Sequence, residues 1–338
     1  MKIALLSPIA WRTPPRNYGP WELVVSLLAE GLIKRGLQVT LFATGDSITG
    51  AQLASICPTP YEENQDIDPK VWEALHIAHL FEEADKFDII HNNYDFLPLV
   101  FTRLVDTPMV TTIHGFSSNQ IIPVYREYND SNYYVSISNA DRSEYLDYIK
   151  TIYHGIDLQQ FSFHEKAGDY LLYFGRIHPD KGTAEAVEIS KRSGIKLIIA
   201  GIIQDQDYFN TRVAPSIDGE NIIYYGVANP AQRNQLMGNA LALIHPIHFH
   251  EPFGLSVVEA MACGTPVIAF NKGSMPEVIH DGKSGFLVKD VEQACSMLPE
   301  VLSLDRSYCR FWAESRFTWD RMIEEYIQVY QEILRCHH

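Results

Sequence analysis

The stretch KIALLSPIAWRTPPRNYGPWELVVSLLAEGLIKRGLQVTLFA, residues 2–43, reads as strand, helix and strand. Residues 2–7 and 38–43 are continuous rather than alternating apolar runs. A strand covered by helices on both faces carries that pattern, whereas a half-solvated strand alternates. Between them, residues 21–35 repeat apolar side chains at helical spacing, as an amphipathic helix does. The unit predicts two parallel strands joined by a crossover helix.

The same alternation extends along the chain. Further strands are expected at 88–91, 108–114, 132–136 and 151–154. The pattern breaks near 157–169, where 163–169 is polar and without period. It restarts with strands at 170–175, 196–201, 222–226, 241–246, 266–270 and 285–288. The expected fold class is α/β, with two Rossmann-like doubly wound domains facing a central cleft. The first covers 1–157 and the second 158–316. Residues 317–338 are expected to form a C-terminal helix that packs back toward the first domain, with Trp319, Ile323, Tyr326, Ile327 and Tyr330 at helical spacing. Tyr326 and Tyr330 read as packing residues. His337 and His338 are set aside. A length of 338 residues fits two domains of roughly 150.

Composition narrows the function classes. Apolar residues make up 46% and charged residues 20%, ordinary for a globular chain. The net charge is −15, and both halves are acidic: 11 basic against 20 acidic residues in 1–160, and 16 against 22 in 161–338. Such a surface repels nucleic-acid backbones and anionic lipid heads, so neither is an expected partner. Five cysteines without a C-x-x-C pair indicate no disulfide framework or zinc ribbon and fit a reducing cytoplasm. No apolar run approaches the ~18 residues that span a bilayer.

The densest chemical signal is HEPFGLSVVEAMACGTP, residues 250–266. A loop carries Glu251, and a helix begins near Gly254 with Glu259 just over one turn inside it. Glycine at a helix start lets a ligand approach free N–H groups, where the dipole favours an anion. Two carboxylates bordering that point accept hydrogen bonds from vicinal diols. A nucleotide sugar has a diol, a diphosphate and a second set of hydroxyls in that order. The second signal is FGRIHPDKG, residues 174–182, where Arg176 and Lys181 flank a loop that could clamp a diphosphate. Taken singly, these residues also read as solvated surface charges. The third is YGPWE, residues 18–22, at the first strand-to-helix turn. It is not a G-x-G-x-x-G fingerprint, which weakens a dehydrogenase reading.

Together these motifs resemble the family 4 retaining glycosyltransferases of GT-B fold, over nearly the whole chain. The block EPFGLSVVEAMACGTPVIA with its Glu-x7-Glu, together with GRIHPDKG, carries the resemblance. The Gly-Pro-Trp-Glu turn, the helix ending KRGLQVT and the final Trp-Asp helix match as well. The resemblance implies that Glu259 holds the donor ribose and Glu251 binds hydroxyls of the transferred ring. It implies that Arg176 and Lys181 stabilise the departing diphosphate, and that the backbone of Phe253, Gly254, Leu255 and Ser256 meets phosphates and sugar. Gly19 would lie by the phosphate, His114 near the sugar's 6-position, and Gly226 and Val227 beside the nucleobase. Two departures stand out: the family's Gly-Gly is Gly19-Pro20, and its Asn-Gly-Val-Asp is His154-Gly155-Ile156-Asp157.

The expected activity is therefore retaining hexosyl transfer from a nucleotide-diphosphate sugar, with UDP or GDP as the nucleotide, to a hydroxyl of a soluble small-molecule acceptor. No cofactor beyond that co-substrate and no metal is expected. His248-x-His250-Glu251 lacks a third and fourth ligand. Asp205-x-Asp207 reads as helix capping, and Ser138 as a helix cap rather than a nucleophile. The alternatives are an epimerase or hydrolase on the same fold, or a non-catalytic nucleotide-sugar sensor. For the acceptor, residues 7–19 form a long loop at the sheet edge where α/β crevices open. Its Trp11, Arg12, Arg16 and Tyr18, with Tyr94 and Asp95, suit a sugar ring or a phosphorylated polar acceptor. A rigid proline-rich loop whose Trp merely packs is the other reading.

Overall fold

The computed structural model describes residues 1–337; residue 338 of the expected C-terminal helix lies outside the described residues. The chain divides into two compact units, Met1–Gly155 with Trp319–His338, and Ile156–Thr318.

In the first unit the elements run β1 (Lys2–Leu6), α1 (Pro20–Lys34), β2 (Gln38–Phe42), β3 (Gln52–Ala54), α2 (Pro69–Phe81), β4 (Ile89–Asn92), β5 (Met109–Ile113), α3 (Ile122–Glu127), β6 (Tyr133–Ser136) and β7 (Tyr148–Thr151). Seven strands pair in the order β3-β2-β1-β4-β5-β6-β7, all parallel. Ile3, Ala4, Leu5 and Leu6 have no exposure at all, as the continuous apolar pattern requires. Helix α1 starts one residue earlier than its apolar period, because Pro20 presets the first helical turn and needs no N–H partner there.

In the second unit the order is β8 (Tyr170–Phe174), α4 (Thr183–Ser193), β9 (Lys196–Ala200), α5 (Gln206–Tyr208), β10 (Ile222–Gly226), α6 (Pro230–Asn239), β11 (Ala242–His245), α7 (Leu255–Ala262), β12 (Val267–Phe270), α8 (Met275–Val278), β13 (Gly285–Val288), α9 (Val291–Val301) and α10 (Arg306–Arg316). Six parallel strands pair as β10-β9-β8-β11-β12-β13. The chain then returns to the first unit as α11 (Trp319–His337). Ile323, Tyr326 and Tyr330 of α11 are buried. Helix α1 makes room for it at Gly31, where a Cβ would sit 1.7 Å from Ile323 Cδ1.

Two expectations need correction, and one strand carries no signal in the sequence. The strand placed at 151–154 is instead β7, Tyr148–Thr151, and the chain beyond it leaves the sheet as His154 turns to stack on His114. The edge strand β3 has only three residues, too few for a periodic signal. Ser138 caps a turn, accepting from Asp141 N at 3.1 Å, and residues 137–147 form no helix.

In each sheet the strand order reverses beside the first strand, at β1/β4 and at β8/β11. Ligands of open α/β sheets bind outside the carboxyl ends of strands at such points.

Candidate active site

Strands β8 and β11 are neighbours, so the loops that leave their carboxyl ends meet. Pro179–Lys181 make a short 3-10 turn after β8. Gly182 follows with φ 70°, and a Cβ there would fall 1.9 Å from the Pro246 carbonyl oxygen. His248 N donates to Asp180 O at 2.7 Å across the same seam. This backbone contact brings Lys181 Nζ to 2.7 Å from Glu251 Oε2, and 4.4 Å above the Phe249 ring. His245, the last residue of β11, holds Nε2 3.5 Å from the same carboxylate oxygen. Burial by itself would raise the Glu251 carboxyl, but the Lys181 ammonium, followed by His245, outweighs it and holds the group at about 2. From the other side, Gly273 lies so close that a Cβ would be 2.3 Å from Glu251 N, and Ser274 N donates to Glu251 O at 2.9 Å.

Gly254 precedes α7 with φ 89°, a left-handed conformation that glycine adopts without strain. No side chain caps this helix. Leu255 and Ser256 are half-buried in its first turn, and the buried Phe253 is pinned through its carbonyl, which accepts from Ser274 Oγ at 2.8 Å. The N-terminus of α7 therefore keeps backbone N–H groups for an anion. Glu259 is buried one turn further in. Its Oε1 accepts from Arg233 Nη1 of α6 at 2.9 Å. Burial raises the Glu259 carboxyl, and the Arg233 charge opposes part of that rise. Arg176, on the same loop as Lys181, donates to the Gln204 side chain rather than pairing with Glu251. Gly226 ends β10 with φ 86°, and Val227 after it is exposed.

His248 pairs with Glu185 at 2.9 Å, His250 is exposed, and Asp205 accepts from Tyr208 N at 2.8 Å as the cap of α5. Among the described residues, no group of three or more His, Cys, Asp or Glu gathers as a metal would require.

In the first unit, the loop 7–19 leaves β1 at the strand-order reversal. Trp11 meets Tyr18 edge-on, with ring centroids 5.9 Å apart. Arg12 Nε donates to Pro14 O, and Arg16 is engaged by Asp46 at 2.9 Å and by Glu63. Gly19 has φ 144°, and a Cβ there would be 2.9 Å from Glu22 Oε2. Glu22 is buried beneath the loop and accepts from Trp11 N at 3.2 Å. Burial pushes its carboxyl up to about 7, against the lowering effect of its own and the Trp11 backbone N–H groups.

The loop after β4 carries Tyr94, whose ring is buried, and Asp95, the one non-glycine with positive φ (107°) among the described residues. Asp95 accepts from Tyr125 OH at 2.5 Å and Ser117 Oγ at 2.8 Å, which hold it in that conformation. After β5, His114 stacks between Trp21 and His154. Asn93 directs its amide nitrogen at His91 O, 3.5 Å away, so Asn93 Oδ1 accepts from His114 Nε2 at 3.0 Å. His114 Nδ1 then accepts from His154 Nε2 at 3.2 Å. Burial lowers His114 well below the usual imidazole range and His154 to about 3, so both rings are neutral at physiological pH.

The family "Glycosyl transferases group 1" matches residues 156–309, and "Glycosyltransferase Family 4" matches 22–160. The chain belongs to the glycosyltransferases.

An uncharacterised glycosyltransferase of Methanocaldococcus jannaschii is 24% identical to this glycosyltransferase, over 98% of each chain. Two solved structures share its GT-B fold. A sucrose-phosphate synthase from Thermosynechococcus elongatus superimposes with TM-score 0.80 at 19% identity, covering 99% of this chain and 100% of that one. Anabaena HepE in complex with UDP-glucose gives 0.75 at 18% identity, covering 98% and 100%. No helix of the glycosyltransferase is long and apolar enough to cross a membrane among the described residues.

In each unit of the glycosyltransferase, some residues beside the motifs carry little or no signal in the sequence. Arg233 lies 26 positions before Glu259 on another helix, and only the packing of α6 on α7 joins them. His245 reads as the apolar end of a strand. His154 shows only as a departure from the family's asparagine. Glu22 stands in a quoted motif, yet its burial depends on how loop 7–19 folds over it.

Proposed function

We propose that the protein transfers a hexosyl group from a UDP- or GDP-sugar to a hydroxyl of a soluble small-molecule acceptor, with retention of anomeric configuration. The observation that carries this is the Lys181–Glu251 pair, 2.7 Å apart beside the uncapped N-terminus of α7. One side of the pair is a cation for a diphosphate; the other is a carboxylate for hydroxyls. Anabaena HepE, of the same fold, has been solved with UDP-glucose, which supports a nucleotide-sugar donor.

In the reaction the bond from the anomeric carbon to the diphosphate oxygen breaks, and its electron pair leaves with the diphosphate. The acceptor oxygen bonds to that carbon, and its proton passes to the departing diphosphate oxygen. The leaving group gains negative charge as the sugar gains oxocarbenium character. Lys181 uses one ammonium N–H on Glu251 and keeps others for the diphosphate. The α7 N–H groups add fixed positive potential, and Arg176 is the second cation of the loop. Groups already in place where charge develops stabilise the transition state without reorganising. Glu251, ionised at all physiological pH values, accepts from hydroxyls of the transferred ring. Glu259 accepts from the ribose. Trp11 and Tyr18 offer the acceptor an aromatic face.

A thermal-shift panel of UDP- and GDP-sugars tests the donor. A ligand at about 100 times its Kd adds roughly 2.7 kcal/mol of stability. Proton NMR of the product made with the stabilising donor then reads the anomeric configuration. A panel without any stabilising nucleotide sugar, or an inverted product, would overturn the reading.

A further inference from the structure

Each carboxylate of the Glu-x7-Glu motif is anchored by a cation from a different part of the chain. Glu251 has Lys181; Glu259 has Arg233, 2.9 Å away. The second pair has its own scaffold. Arg233 lies over the Phe161 ring at 5.1 Å, and its neighbour Asn234 accepts from Ser162 N at 2.9 Å, tying α6 to the same segment. The capping box of Asn229 and Gln232 fixes the first turn of α6, which begins at Pro230, three residues before Arg233. The Glu259 side chain is 5% exposed and that of Arg233 17%, so neither charge is well hydrated.

We infer that Arg233 is a positioning residue for the nucleotide: it keeps the buried Glu259 ionised and fixes one of its oxygens, leaving the other to accept from the ribose diol. The inference rests on the reading of Glu259 as the ribose-binding group. A protonated carboxyl would offer the diol a donor where it needs an acceptor. Two facts make the cation necessary. Glu259 is buried, and burial favours its neutral form. The groups that face it from the neighbouring elements do little to oppose that. Cys263 at the end of α7 is a buried thiol, and Arg310 of α10 is spent on the carbonyls of Phe161 and Ala262 at 2.6 and 2.7 Å. Arg233 is therefore the cation in direct contact.

The test is calorimetric titration of UDP and of GDP into the full chain between pH 5.5 and 9, for wild type, Arg233→Met, Arg233→Lys and Glu259→Gln. Loss of an opposite charge at this range raises a carboxyl by about 1–3 pH units. Nucleotide affinity of Arg233→Met should accordingly fall away at a pH at least about one unit higher than in wild type. It should recover toward the wild-type value by pH 9, which a misfolded variant would not do. Arg233→Lys should keep the wild-type profile. An Arg233→Met profile that superimposes on wild type, or a loss that pH 9 does not restore while Arg233→Lys is equally weak, would overturn the inference. Wild-type affinity in Glu259→Gln, or no binding of either nucleotide by wild type, would instead remove the reading of Glu259 on which it rests.

Discussion

Lys181 Nζ lies 2.7 Å from Glu251 Oε2, with both side chains largely withdrawn from water and 70 residues apart in sequence. The contact exists because β8 and β11 are adjacent and their carboxyl-end loops touch through Gly182 and Pro246. Removing one partner of a buried ion pair costs about 3–5 kcal/mol, since a charge is left uncompensated. Lys181→Met should show that loss in urea unfolding at pH 7. The double variant Lys181→Met/Glu251→Gln should regain most of the stability and none of the activity.

Lys181→Ala and Arg176→Ala should each lower kcat/KM by about two orders of magnitude or more, on the scale of losing one preorganised donor to a developing anion. Steady-state kinetics with the donor found by thermal shift checks this, and wild-type turnover in either variant would remove its role at the leaving group.

Glu22 and Glu251 should shift stability with pH in opposite directions. Glu251 is held at about 2, below its ordinary 4.5, so its contribution is complete above about 4.5 and is lost as pH falls toward 2. Glu22 is raised to about 7, so the fold holds its proton where the unfolded chain has released it, and stability falls as pH rises from about 4.5 to 7. Glu22→Gln should therefore match wild type near pH 4.5 and exceed it at pH 8, by an amount on the order of 1–3 kcal/mol. Urea midpoints at the two pH values measure it; equal midpoints at pH 8 would contradict the burial argument.

Tyr330→Phe should destabilise the first unit by about 1–3 kcal/mol. The Tyr330 hydroxyl meets His91 Nδ1 at 2.7 Å, and Thr112 meets the other ring nitrogen at 2.7 Å. Burial lowers His91 to about 3, so this ring stays neutral and needs both partners. Hydrogen exchange in α11 should accelerate with the loss.

On the acceptor side, Trp11→Ala should raise the acceptor KM and leave donor binding nearly unchanged. Arg16→Ala should do less, because Asp46 and Glu63 already occupy its guanidinium. A donor Kd that moves as much as the acceptor KM in Trp11→Ala would contradict the assignment of loop 7–19.

The sequence by itself determined the fold class. Strands such as residues 2–7 are apolar on both faces, and that pattern survives any detail of packing. It also determined the Glu-x7-Glu block, since Glu251, Gly254 and Glu259 lie within nine residues and local geometry relates them. Tertiary structure alone decided what those groups touch. Arg16, expected on the acceptor side, is paired with two acids from distant loops, while Arg176 turns to Gln204. Glu259 is joined to Arg233 of another helix, and His114 to His154. The physical reason is the same in each case. A charge or ring nitrogen interacts over a few ångströms of space, and burial multiplies the energy of whatever lies there. Which residue lies there depends on strand order and loop contact, neither of which local periodicity encodes.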